Sequence, residues 1–68
     1  MWSKELQELS RTYLEYDGTH VKSTKGKFGI LGIDFEKDVL VIKIKPELTE
    51  ILTFKTVDEI INAGWAVD

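Results

Sequence analysis

The sequence predicts an α+β fold in which an N-terminal helix packs on a small, strongly bent antiparallel sheet or barrel of three to five strands, followed by a short C-terminal helix. Apolar residues recur at helical spacing near the N-terminus, and apolar and β-branched residues alternate through the centre of the chain. The connections between these strands are short, whereas parallel strands would need crossovers of a dozen or more residues. We expect one domain spanning residues 1–68.

The first predicted element is a helix over residues 3–16. Its apolar positions are separated by alternating steps of four and three residues, which places them on one face of a helix. Ser3 can cap the first turn, and Gly18 can end the helix in the left-handed conformation. We expect the apolar face to pack on the core, and its residues are Trp2, Leu6, Leu9, Tyr13 and Tyr16.

Four strands are predicted between the two helices. Strong alternation defines the second and third of them, while the first alternates weakly and reads as an edge strand. The strands cover residues 19–24, 27–35, 39–45 and 51–55. In the second strand Leu31, Ile33 and Phe35 share one face, and Phe28 and Ile30 share the other with Gly32, so both faces have residues to bury. In the third strand Leu40, Ile42 and Ile44 point inward, and in the fourth Leu52 and Phe54 share one face.

Three glycines, Gly26, Gly29 and Gly32, lie in or beside the second strand. A dinucleotide-binding fingerprint would need a closer first pair of glycines and a helix directly after them, and this stretch continues as a strand. Glycine weakens a regular strand, so we expect these residues to mark a bend or a bulge in the sheet.

The C-terminal part opens with a capping box at Thr56 and Glu59, in which the threonine caps the helix and the glutamate reaches back. This predicts a short helix over residues 57–63, ended by Gly64. The sequence leaves two alternatives for the segment from Trp65 to Val67, namely a last strand or a tail.

With the elements in this order, the chain resembles small SH3-like barrels, of which KOW segments and Sm-like domains are variants. The resemblance covers residues 18–61 and implies a fold and a habit of binding RNA, nucleic-acid-processing proteins or other proteins, without carrying over individual site residues. The stretches that carry it are Gly18 to Val21, Lys25 to Asp34, Leu40 to Ile44, Leu52 to Phe54 and Val57 to Ile60.

No constellation in the sequence predicts catalysis. Cysteine is absent, which excludes disulfides and thiolate metal sites. His20 is the only histidine, and no carboxylate or nucleophile is spaced to work with it. The acids of the central turn, Asp34, Glu36 and Asp38, lack the spacing of a calcium loop. We therefore expect no enzyme, no metal and no cofactor.

Apolar runs are too short for a membrane span, and the first residues lack the basic and apolar regions of a signal peptide. We expect a cytoplasmic protein that does not enter the membrane. The absence of cysteine fits that expectation.

Charge is segregated along the chain, whose net charge is −3. Residues 18–45 carry six lysines against three acids, whereas both flanks are acidic. The central hairpin is therefore the basic segment of an acidic protein, and its lysines and the terminal tryptophans are our candidate binding residues. These are Lys22, Lys25, Lys27, Phe28, Lys43, Lys45, Trp2 and Trp65.

Two functions follow as hypotheses. The leading one is a small interaction module that binds a protein partner and self-associates, and an accessory protein of a phage or mobile element would have this character. The alternative is binding of RNA or single-stranded DNA through the lysine-bearing face of the hairpin. The acidic character of the whole chain disfavours nucleic acid.

Overall fold

The computed structural model describes residues 1–68 and contains two helices and five strands. Their order confirms the predicted fold class, although the first helix is shorter than predicted. The elements are α1 (Lys4–Tyr13), β1 (His20–Ser23), β2 (Phe28–Asp34), β3 (Val39–Ile44), β4 (Ile51–Phe54), α2 (Val57–Asn62) and β5 (Trp65–Val67).

The five strands form one antiparallel sheet in the order β4-β3-β2-β1-β5. The C-terminal segment is a strand, since Trp65–Val67 pairs with β1. The sheet stays open, because β4 and β5 are its two edges and do not pair with each other. Helix α2 connects these edge strands and contacts both of them.

The core lies between one face of the sheet, here called the inner face, and α2. In register across the central strands, Leu31, Ile42 and Leu52 lie side by side on this face. Ile60 and Ile61 of α2 are buried against it, and Leu14 joins them from the end of α1. The inward alternation predicted for β3 and β4 is thus confirmed.

The glycines of β2 do not form a bulge, because its pairing with β3 is continuous from Gly29 to Asp34. They leave room for neighbouring side chains instead. A Cβ atom on Gly29 would lie 2.7 Å from Cγ2 of Ile42, and one on Gly32 would lie 3.0 Å from Cγ2 of Val41. At both positions a side chain of β3 packs against the backbone of β2.

Helix α1 lies along the β5 edge of the sheet and contacts β5 and α2. Ser10, which is fully buried, accepts a hydrogen bond from the Val67 amide at 2.9 Å through its hydroxyl oxygen. The helix therefore covers backbone groups of an edge strand that would otherwise lack a partner. The small serine side chain permits this close approach.

The buried face of α1 differs from the predicted one. Ser10 and Leu14 are fully buried, while Leu9 and Tyr13 are about half exposed and Tyr16 is 61% exposed. The helix also ends at Tyr13, where the Thr19 hydroxyl lies within hydrogen-bond distance of the carbonyl oxygens of Tyr13 and Tyr16. The prediction that Tyr13 belongs to the core was wrong, because the helix approaches a sheet edge through its small residue.

Helix α2 begins as the capping box predicts. Thr56 accepts the Glu59 amide through its hydroxyl oxygen at 3.2 Å. The Glu59 carboxylate reaches back to the amide of Lys55, one residue before the cap, at 3.3 Å. Arg11 of α1 pairs with Asp58 in the first turn of α2, and both side chains are exposed. Such an exposed pair contributes about 0–1 kcal/mol to stability.

Candidate functional site

The opposite side of the sheet, here called the outer face, carries no helix. Helix α2 packs on the inner face and α1 lies along β5. Antiparallel sheets with one solvated face are normally polar on that face. Here the central strands present aliphatic and aromatic side chains as well. By register, Ala66 of β5 lies on this face opposite Lys22 and is fully buried, so the open part of the face is formed by β1 to β4. That open part consists of His20, Lys22, Phe28, Ile30, Gly32, Asp34, Val39, Val41, Lys43, Lys45, Ile51 and Thr53.

The middle of the outer face, here called the apolar middle, is mainly aliphatic, although the exposed Lys43 lies within it and the Asp17 carboxylate lies beside Gly32. Ile30 of β2 and Ile51 of β4 flank Lys43 in one cross-strand row, and Val41 lies between Gly32 and Thr53 in the next. Ile51 is 52% exposed, and Phe28 at the end of β2 is 48% exposed. This is more apolar surface than a sheet needs on its solvated side.

A depression of about 710 Å³ lies over this apolar middle. Gly32 and Val41 line it, and the β2–β3 turn borders it with Phe35. Alternation placed Phe35 on the same strand face as Leu31 and Ile33, but its side chain is 82% exposed. It follows the last residue of β2 and lies in the turn, where the alternation of the strand no longer applies.

The charges of the outer face are separated along the strands. Lys22 and Lys45 flank Phe28 at one end, since Lys22 pairs with Phe28 and the Lys45 amide donates to the Phe28 carbonyl. We call this the basic end, and Lys43 lies in the adjacent row. At the other end of β2, about 20 Å away at roughly 3.3 Å per residue, lie Asp34 and Glu36, which we call the acidic end and which Lys37 also borders. The Asp17 carboxylate lies nearer the middle of the face, beside Gly32.

Two lysines of the basic end have defined contacts. The Lys45 ammonium lies 2.6 Å from Nδ1 of His20. The Lys22 ammonium lies 5.1 Å from the ring centroid of Trp2, within the range of a cation–π interaction. Both contacts hold these side chains at the margins of the outer face and leave its apolar middle open.

The structure thus places part of the predicted set of binding residues on one surface. Lys22, Phe28, Lys43 and Lys45 share the outer face. Lys25 and Lys27 lie in the β1–β2 turn next to the basic end, where their backbone amides donate to the Ser23 hydroxyl oxygen at 3.2 Å.

The two tryptophans differ in accessibility. Trp65 is only 4% exposed and belongs to the core cluster, so its indole is not on the surface. Trp2 is half-buried and donates its indole N–H to the Gly64 carbonyl at 2.8 Å, which ties the N-terminus to the start of β5. Trp2 borders the outer face at Lys22, whereas Trp65 is not part of it.

Sequence reasoning missed the aliphatic members of the outer face, namely Ile30, Val39, Val41 and Ile51. The sequence did carry a signal for them, because in β2 and β3 both the inward-facing and the outward-facing positions hold apolar residues. A strand that is apolar on both sides is either covered on both faces or offers one face to another molecule.

A second, smaller groove of about 380 Å³ lies between α1 and β5. Leu6, Leu9 and Tyr13 line it together with Val67, and Lys22 of the outer face also lines it. The exposed apolar side chains of α1 therefore lie in this groove. It is the second apolar surface of the protein, against which binding to the outer face can be compared.

Comparisons of this chain with protein-family models, with curated proteins and with solved structures find no match. Neither helix is long and apolar enough to cross a membrane.

Proposed function

We propose that this chain is a non-enzymatic protein-interaction module whose binding surface is the outer face of its sheet. The observation that carries the proposal is the apolar middle of that face, over which no helix lies, with Val41 partly buried at its centre and Ile51 and Phe28 about half exposed. Contiguous exposed apolar surface rimmed by charge is characteristic of protein–protein contact sites. A cytoplasmic setting, which the cysteine-free sequence favours, is part of this proposal.

The outer face suits a protein better than a nucleic acid. Its middle is aliphatic, and aliphatic side chains give little to a phosphate backbone. Asp17 beside Gly32 and Asp34 at the acidic end would repel phosphates that continue along the strands from the basic end. A protein partner can match both ends at once with opposite charges around an apolar centre.

Val41→Glu is expected to abolish partner capture, because it places a charge in the apolar middle of the outer face. The measurement is affinity capture from a cell lysate, with retained polypeptides and nucleic acid both quantified. Leu9→Glu is the matched control, since Leu9 is 48% exposed but lies in the groove beside α1. Circular dichroism spectra of both variants are compared with the wild type to check that the variants are folded.

The proposal is supported if the wild type and Leu9→Glu retain the same polypeptide and Val41→Glu does not. Loss of capture in Leu9→Glu alone would move the binding surface to the α1 groove and contradict the proposal. Equal capture by all three proteins would also contradict it, because the outer face would then be irrelevant to binding.

One arrangement favours the alternative, binding of single-stranded nucleic acid. Phe28 lies between Lys22 and Lys45 at the basic end, so one base could stack on the ring while the lysines meet phosphates. This alternative predicts that a labelled oligonucleotide binds at low salt, that affinity falls steeply with salt, and that Lys45→Glu weakens it. The absence of binding at low salt would eliminate the alternative.

A further inference from the structure

The outer face is electrostatically complementary to itself. Its basic end carries Lys22 and Lys45, its acidic end carries Asp34 and Glu36, and the apolar middle lies between them. We propose that a second copy of this chain binds there, outer face to outer face, across a two-fold axis. This inference rests on the proposed function, and it identifies the bound protein as a second copy of this chain.

The orientation of the axis follows from the charges. A two-fold axis in the plane of the contact and perpendicular to the strands reverses the strand direction, so each basic end lies over the acidic end of the other copy. An axis parallel to the strands would place lysines over lysines and aspartates over aspartates. Only the first arrangement is attractive, and it makes the same contact twice, as a two-fold interface requires.

The same rotation brings the apolar rows together. The row with Ile30 faces the row with Val41 of the second copy, because the two rows are adjacent about the midpoint of β2. Phe28 and Asp34, at opposite ends of β2, exchange places. Lys45, which lies beside Phe28, is thereby brought near Asp34 of the second copy.

The size of the face sets the expected strength. Four strands at about 4.8 Å spacing and six residues at about 3.3 Å rise span roughly 20 by 20 Å, or about 400 Å² per copy. A standard stable interface buries about 800 Å² per partner. We therefore expect a weak dimer whose dissociation constant lies at about 0.1 mM, and whose population falls when salt screens the charges.

A charge exchange between two variants tests the geometry. Lys45→Glu and Asp34→Lys each place like charges at both contacts of the dimer, and each alone is expected to weaken association about tenfold. In an equimolar mixture of the two variants, both contacts of the mixed dimer join opposite charges. We expect association to return to about the wild-type level in the mixture.

Sedimentation equilibrium from about 20 µM to about 1 mM, at low and high salt, measures this association over the range that a weak interface requires. Lys4→Glu, a charge reversal at an exposed residue of α1 outside the face, is the matched control and should behave as the wild type. Because Asp34 also accepts the Lys37 amide in the β2–β3 turn, Asp34→Asn provides a milder variant that keeps an acceptor oxygen. It is expected to weaken the dimer about threefold.

A wild type that is monomeric at 1 mM would overturn the inference, and so would a mixture that associates no better than either variant alone. Association that ignores both substitutions would point instead to edge-to-edge pairing through β4 and would also overturn it. If the wild type is monomeric but captures a different protein through Val41, the inference falls while the proposed function stands.

Discussion

Replacing Ile42 with alanine is expected to lower the free energy of unfolding by about 3–4 kcal/mol. Ile42 is fully buried on the third strand, between Leu31 and Leu52 in register. Removing most of its side chain leaves a cavity that the hydrogen-bonded neighbouring strands cannot close. A chain of 68 residues has a total stability of roughly 3–10 kcal/mol at the usual value per residue, so the variant loses a large part of it.

Urea denaturation followed by the fluorescence of the two tryptophans measures this change. Ile51→Ala is the matched control, because it deletes the same atoms from a side chain that is 52% exposed on the outer face. We expect the control to lose about 0.5–1 kcal/mol. Equal losses in the two variants would contradict the assignment of inner and outer faces.

Gly29→Ala is expected to cost about 3 kcal/mol, although the position has ordinary strand dihedrals. The new Cβ atom would lie 2.7 Å from Cγ2 of Ile42 and 2.9 Å from the Lys43 carbonyl oxygen. The backbone oxygen cannot move without breaking the pairing of β2 with β3. Overpacking in a well-packed region typically costs about 1–3 kcal/mol, and the contact with backbone places this site at the upper end.

A second substitution separates the two contacts. Ile42→Leu removes the methyl group at Cγ2, so it should recover part of the loss in the double variant, while the contact with the carbonyl oxygen remains. Gly26→Ala is the control, since Gly26 has a φ of +82° and open space around it. It should lose about 1 kcal/mol from backbone strain alone. A smaller loss for Gly29→Ala than for Gly26→Ala would contradict the close approach of β3 to β2.

Alternation in the sequence was sufficient to predict β2, β3 and β4 and to direct Ile42 and Leu52 inward, because the two-residue period of a strand is a local property. The short connections likewise determined that neighbouring strands are antiparallel. The choice between a closed barrel and an open sheet was beyond local reasoning. A barrel would close only if β4 and β5 paired with each other. Because α2 separates these strands in the chain, no local sequence pattern determines whether they pair.

The packing of α1 shows a second limit. Its apolar stripe predicted a contact through Leu9 and Tyr13, yet the helix meets the sheet edge through Ser10 and Leu14. The buried Ser10 hydroxyl accepts a hydrogen bond from the amide of Val67 on the edge strand. The spacing of apolar residues along the helix does not predict such a hydrogen bond. The tertiary arrangement then left the larger side chains on the rim of the α1 groove.

The candidate site was predicted in part. Its lysines and Phe28 were identifiable from the charge pattern, and register places Lys22, Lys43 and Lys45 on one face. Its apolar middle was not, because Ile30 and Val41 look like core residues until the structure shows that no helix covers them. Exposure of an apolar residue is a property of the whole fold and not of its neighbours in sequence.

The central claim is that the outer face of the sheet is where one copy of this chain meets a second copy. The most direct measurement is a dilution series of backbone amide NMR spectra from about 1 mM to about 20 µM, the range of a weak interface. The account predicts concentration-dependent shifts at Ile30, Val41 and Thr53, with the amides of α1 unchanged. Shifts centred on Leu9 and Tyr13, or spectra that do not change with concentration, would contradict it.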